Sequence, residues 1–152
     1  MPSRRQFLTT VRERAPTTRL TGVVFAGDLL VLLAFASYGM YSHGTAPWSD
    51  LGYTFMTFAP FAIAWVVLAP LLGVYLDGTL ASYRQTAFRF TIGWPLVAVV
   101  GSLVRATPLF HGGTALTFVL VTIAFGLLFF LVWRFAVVTI RRGSNLYINT
   151  NS

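Results

Sequence analysis

The chain has 152 residues, of which 56% are hydrophobic and 10% are charged, and its mean hydropathy is +0.72. Soluble domains carry about 25% charged residues, so the composition excludes an ordinary soluble protein. Cysteine is absent, which excludes disulfides, thiolate metal sites and thiol nucleophiles. The formal net charge is +7, and its placement along the chain decides which partner it indicates.

Four apolar segments are each about long enough to cross a bilayer, which takes roughly 20 mainly apolar residues in a helix. They are Leu20–Tyr41, Tyr53–Leu76, Phe90–Leu109 and Ala115–Ile140. No barrel-like alternation is present, and a spanning backbone has to satisfy its own hydrogen bonds. The sequence therefore predicts an all-α fold, a polytopic membrane four-helix bundle in one domain over residues 20–140.

The arginines flank these segments asymmetrically. All eleven basic residues are arginine: five precede the first segment, two lie between the second and third, and two follow the fourth. The first loop, residues 42–52, has no arginine or lysine. Because short basic loops stay in the cytoplasm, we predict a cell-membrane protein with both termini cytoplasmic. The tails would be a basic one over residues 1–19 and a polar one over residues 141–152.

The positive charge has two readings, nucleic acid or the membrane surface. A basic rim beside a membrane follows from topology and from attraction to anionic lipid. No nucleic-acid-binding motif accompanies the charge. The predicted partner is therefore the lipid bilayer and not nucleic acid, and a homo-oligomer or a larger membrane complex is compatible with this prediction.

The N-terminal tail offers an alternative to a retained first helix. The hexapeptide at residues 3–8 resembles a twin-arginine export signal, and the tripeptide at residues 34–36 has the small-x-small pattern of a cleavage site. Two features oppose cleavage, since the apolar segment begins well beyond the arginine pair and Asp28 lies in its middle. We therefore predict that the first helix is retained.

Two charged residues fall inside predicted spans. Asp28 lies nine residues after Arg19, and Arg134 lies seven residues before Arg141, which corresponds to about 13 Å and about 10 Å of helical rise. Their depths match, and a lone carboxylate there would cost several kcal/mol or become protonated. We hypothesise an ion pair between Asp28 and Arg134. A pair that only orients the bundle is favoured over one that takes part in transport or catalysis.

A second polar group falls on the outer side of the predicted threading: His43, Asp50, Arg105 and His111. Two histidines and an aspartate are residue types that bind metals or move protons. Their spacing matches no metal motif, and loop histidines beside glycine are usually solvated turn residues. We therefore predict an outer polar cluster without a metal.

Aromatic residues mark the predicted boundaries. Tyr38 and Tyr41 fall at the outer boundary and Tyr75 and Tyr83 at the inner one, as interfacial aromatic belts require. Trp65 instead falls in the middle of a span. Its indole N–H needs a partner, so we expect it to face other helices.

The chain offers no residue set for catalysis. It has no metal-ligand cluster, no convergent Ser/His/Asp set and no phosphate-binding loop. We therefore predict a non-enzymatic protein without catalytic residues or cofactors, acting as a binding or structural membrane component. The alternative is a subunit of an oligomeric proton- or cation-coupled transporter or channel, with Asp28 as its ion site.

The polar and aromatic residues of the spans also form a pattern. The first span opens on Gly27-Asp28 and closes on Ser42-His43, and the fourth ends on Trp133-Arg134; between them stand Pro60-Phe61, Trp65, Trp94 and Arg105. In this pattern the chain, from Arg19 to Arg134, resembles the membrane proteins grouped as domain of unknown function 3054. The resemblance implies a small polytopic membrane protein of archaea and bacteria without an assigned activity.

Overall fold

The computed structural model describes residues 19–110 and 112–150, and for residues 144–150 the backbone only. The export-signal hexapeptide lies outside this part of the chain. The described residues form five helices and no strand. The helices are α1 (Arg19–Ser42), α2 (Leu51–Leu71), α3 (Asp77–Ala81), α4 (Tyr83–Arg105) and α5 (Leu116–Thr150).

Four helices are long and apolar enough to cross a membrane: α1, α2, α4 and the Leu116–Gly143 part of α5. Their outward faces carry large apolar side chains, among them Val23, Leu30 and Val132, each more than 60% exposed. An apolar surface of this extent is unusual for a protein in water and suits contact with lipid. The predicted all-α bundle of four helices that could span a membrane is confirmed.

The long helices form a closed ring of neighbours. α1 packs on α2 and α5, and α4 packs on the same two helices. At the centre lies an aromatic cluster from three helices, consisting of Trp65, Phe90, Trp94 and Phe130, each at most 1% exposed. The rings of Trp65 and Phe130 stack with centroids 4.5 Å apart, and Trp94 lies 4.9 Å from Phe130. These buried rings form the centre of the hydrophobic core.

The second helix ends five residues before the predicted end of its span. α2 stops at Leu71, and Gly73 has a φ of +69°, a left-handed conformation that glycine adopts at little cost. The turn sends Val74 and Tyr75 back into the bundle, where they are 2% and 5% exposed. Tyr75 is therefore a core residue, and it does not face outward as a residue of the predicted aromatic belt would.

The fourth helix begins before the apolar run that predicts its span. α4 starts at Tyr83 because Ser82 caps it, accepting a hydrogen bond from the Gln85 N–H. The preceding short helix α3 is tied to α4 by the Thr86 hydroxyl, which donates to the Thr79 carbonyl. These contacts fix the chain between α2 and α4 against one end of the bundle.

Candidate functional site

Asp28 and Arg134 meet between α1 and α5. The Arg134 Nε donates to Asp28 Oδ1 at 2.9 Å, and Nη2 donates to Oδ2 at 2.5 Å. The two side chains are 0% and 1% exposed. Two parallel N–H···O bonds make a bidentate pair, the geometry in which a guanidinium holds a carboxylate most strongly. The structure thus places the two hypothesised partners in direct contact.

Two further groups donate to the same carboxylate. The Tyr75 hydroxyl donates to Oδ2 at 2.6 Å, and the Trp133 indole N–H donates to Oδ1 at 3.1 Å. Asp28 therefore accepts four hydrogen bonds from the described residues, two on each oxygen. Burial raises the pKa of the Tyr75 hydroxyl, and the Asp28 charge raises it further, so this group stays protonated and donates.

A second layer holds these donors in place. The Arg134 Nη1 donates to the Val74 carbonyl at 3.2 Å, and the Trp65 indole N–H donates to the Tyr75 hydroxyl at 2.8 Å. The Arg134 guanidinium also lies 4.9 Å from the ring centroids of Tyr75 and Phe90, within cation–π range. The network joins α1, α2, α4, α5 and the turn after α2, and it leaves both charged side chains almost fully buried.

A cavity of about 350 Å³ lies at the other end of the bundle, between the C-terminal part of α1, the N-terminal parts of α2 and α5, and the end of α4. Its wall is mostly apolar, with Phe35, Phe61, Phe118 and Phe125 among the lining residues. Small residues on α1, including Gly39, leave the space open. A mostly apolar cavity with few polar groups is the usual form of a small-molecule site.

Arg105 lines this cavity at the end of α4. Its Nη1 donates to the Gly113 carbonyl at 2.7 Å, and its guanidinium lies 4.6 Å from the Phe118 ring centroid. The Gly112 N–H donates to the Arg105 carbonyl at 3.0 Å. The loop before α5 therefore folds around Arg105 and fixes the position of its charge.

The structure brings together two members of the predicted outer polar cluster. His43 and Arg105 line the same cavity. Asp50 does not line it and instead caps α2, accepting a hydrogen bond from the Tyr53 N–H at 2.9 Å. His111 lies outside the described residues. Within the described chain no three His, Cys, Asp or Glu residues are placed to hold a metal ion.

Three residues of the buried network were missed as site residues: Tyr75, Trp133 and Trp65. The indole of Trp65 in mid-span predicts a buried partner, which proves to be the Tyr75 hydroxyl. Trp133 adjoins Arg134 in sequence, so its proximity to the ion pair could have been anticipated. Tyr75 gives no such signal, because its burial depends on the turn at Gly73.

A protein-family model described as "Protein of unknown function (DUF3054)" matches residues 25–137, which is most of the chain. The chain belongs to this family. The resemblance drawn from the span residues is confirmed. No curated protein and no solved structure matches the chain.

The DUF3054 match covers both features described above. Asp28, Arg134 and every residue lining the cavity fall within the matched range. The family description assigns no activity. Any functional conclusion therefore rests on the chemistry of the buried ion pair and of the cavity. The chain is a helical protein of the DUF3054 family with four apolar helices that suit a membrane.

Proposed function

We propose that this DUF3054 protein is a non-catalytic binding component of the cell membrane that holds an amphipathic small molecule in the cavity. The cavity carries the proposal. Its volume of about 350 Å³ falls within the range of small-molecule pockets, roughly 300–1,000 Å³. Its wall is mostly apolar, and its polar groups include Arg105, His43 and several hydroxyl side chains. A molecule with an apolar body and one polar group, taken from the lipid bilayer, matches this lining.

The proposal includes a direction for the cavity. The arginine-rich tails and second loop favour a cytoplasmic location for both termini. The cavity lies at the end of the bundle where α1 ends and α2 begins. In this orientation a ligand would enter the cavity from the outer half of the membrane.

An oligomeric proton- or cation-coupled transporter or channel is the alternative. It would use Asp28, because intramembrane carboxylates often mark ion pathways. Both oxygens of Asp28 are occupied by four hydrogen bonds, and the side chain is 0% exposed. These contacts favour an orienting role for the ion pair and a binding role for the cavity.

Filling the cavity tests the proposal. Gly39 lines the cavity, and a Cβ added there meets no atom within 4 Å, so Gly39→Phe places a ring in the space without disturbing the helix. We expect the variant, in phosphatidylcholine nanodiscs, to bind radiolabelled dodecanoate and dodecanol about tenfold more weakly. The ring would occupy space that the ligand needs, and a tenfold loss of affinity corresponds to about 1.4 kcal/mol.

The matched control is Gly22→Phe on the same helix. Gly22 is exposed, has open space around it and does not line the cavity, so this variant should bind as the wild type does after subtraction of empty nanodiscs. Equal binding by the Gly39→Phe variant and the wild type would show that the cavity is not a binding site.

A further inference from the structure

The cavity contains a fixed positive charge. Arg105 stands in the last turn of α4, and its Nη1 is held by the Gly113 carbonyl. A Cβ added at Gly112 would lie 2.5 Å from the Arg105 Cγ, so glycine allows the loop to pass this close to the arginine stem. The guanidinium is therefore preorganised before any ligand arrives, which lowers the cost of ordering it on binding.

No described carboxylate neutralises this charge. The three acidic residues in the described chain are engaged elsewhere: Asp28 pairs with Arg134, Asp77 pairs with Arg141, and Asp50 caps α2. A guanidinium has five N–H donors, and one hydrogen bond from the Arg105 side chain to the described residues accounts for only part of that capacity. The rest of that capacity can serve a ligand, because Arg105 lines the cavity.

The apolar wall begins directly beside the guanidinium. Phe118 contacts it at 4.6 Å and also lines the cavity. Phe118 in turn packs against Phe61, with ring centroids 6.3 Å apart, and Phe61 also lines the cavity. A ligand whose charged group meets Arg105 would thus lay its apolar part along these rings.

Resting on the proposed binding function, we infer that the occupant is an anionic amphiphile, whose carboxylate or phosphate group binds the Arg105 guanidinium while its apolar tail fills the cavity. A planar guanidinium suits both groups because it can donate two parallel hydrogen bonds to either of them. A purely structural role would have Arg105 only offset the partial negative charge at the end of α4.

The test compares three ligands with the same tail, namely dodecanoate, dodecyl phosphate and dodecanol, on the full chain in phosphatidylcholine nanodiscs. We expect the wild type to prefer the anions. Arg105→Gln should weaken anion binding about tenfold or more and leave dodecanol binding unchanged, because charge-assisted hydrogen bonds are lost. Arg105→Lys should keep the preference for anions. The tighter of the two anions identifies the head group.

Arg142→Gln is the matched control, since Arg142 also lies over an aromatic ring, 5.1 Å from the Tyr83 centroid, at the opposite end of the bundle. It should leave all three affinities unchanged. Retained dodecanol binding shows that the Arg105→Gln variant is folded. Equal wild-type affinities for the three ligands, unaltered by Arg105→Gln, overturn the anionic assignment and leave the proposed function standing. If the wild type binds none of them above empty nanodiscs, both are overturned.

Discussion

Asp28 is a fully buried carboxyl group between helices, and its four hydrogen bonds explain how the fold tolerates it. A charged side chain inside a membrane costs about 2.5 kcal/mol or more. The bidentate contact with Arg134 offsets that cost, and the Tyr75 and Trp133 donors use the remaining acceptor capacity of the carboxylate. We expect the pair to make the relative rotation of α1 and α5 specific, because turning either helix would separate Asp28 from Arg134.

We predict strong energetic coupling between Asp28 and Arg134 in a double-mutant cycle. Asp28→Asn leaves the buried guanidinium without its counter-charge, and loss of one partner of a buried pair typically costs 3–5 kcal/mol. Arg134→Gln should also destabilise the bundle, and the double variant should cost less than the sum of the two. The coupling is measured from the free energy of unfolding in SDS titrations of mixed micelles.

The exposed pair of Asp77 and Arg141 provides the control for this cycle. Arg141 Nη2 lies 3.2 Å from Asp77 Oδ1, and Asp77 is 92% exposed, so the corresponding cycle should give less than about 1 kcal/mol. A charge exchange, with Asp28→Arg and Arg134→Asp combined, adds a second check. If that variant folds no better than either single change and the cycle at Asp28 shows additive costs, the pair has no orienting role.

Among the elements, the turn after α2 decides which residues reach the network. Gly73 is left-handed, and a Cβ added there would lie 2.5 Å from the Arg89 Nη1, which itself donates to the Leu72 carbonyl. Gly73→Ala therefore combines a conformational cost of about 1–2 kcal/mol with displacement of the Arg89 side chain from its hydrogen bond to Leu72. We expect destabilisation of about 2 kcal/mol or more and weakened burial of Tyr75, measured by thermal unfolding in detergent.

Gly44 provides a control that separates the cost of the left-handed backbone from the cost of the contact with Arg89. Its φ is +81°, and a Cβ added there meets nothing within 4 Å. Gly44→Ala should therefore show the conformational cost alone. Equal unfolding temperatures for the Gly73→Ala and Gly44→Ala variants would mean that the contact with Arg89 does not contribute to the loss of stability.

The same turn shows where sequence reasoning stops. Four spans follow from apolar length, because a bilayer requires that length. Leu72 and Val74 continue the apolar run, so hydropathy cannot show that the helix ends at Leu71. The chain then turns at Gly73, which has a positive φ, and Tyr75 is buried in the core instead of facing outward.

Part of the candidate site could also be predicted from the sequence. Matched depth was enough to pair Asp28 with Arg134, since two helices crossing the same layer bring equal depths together. The cavity could not be predicted from the sequence, because it depends on which faces of α1, α2 and α5 pack together. The predicted outer cluster includes Asp50, but an aspartate directly before a helix is a strong N-cap signal, and Asp50 does cap α2.

In the molecule as a whole, the two features occupy different halves of the bundle. On α1 the ion pair lies at Asp28 and the cavity begins at Phe35, about 10 Å further along the helix. Substitutions at this separation usually have additive effects. One half thus holds the buried ion pair and its hydrogen-bond donors, while the other holds the cavity.

The orientation of these halves in the membrane gives the last prediction. The chain has no cysteine, so single cysteines can be placed at exposed positions on each side, with Ser49→Cys at the cavity end and Gln85→Cys at the opposite end. With both termini cytoplasmic, a membrane-impermeant maleimide should label Ser49→Cys in intact cells and Gln85→Cys only after permeabilisation. The reverse pattern would turn the cavity towards the cytoplasm, and its occupant would then be drawn from the inner leaflet, where anionic lipids are concentrated.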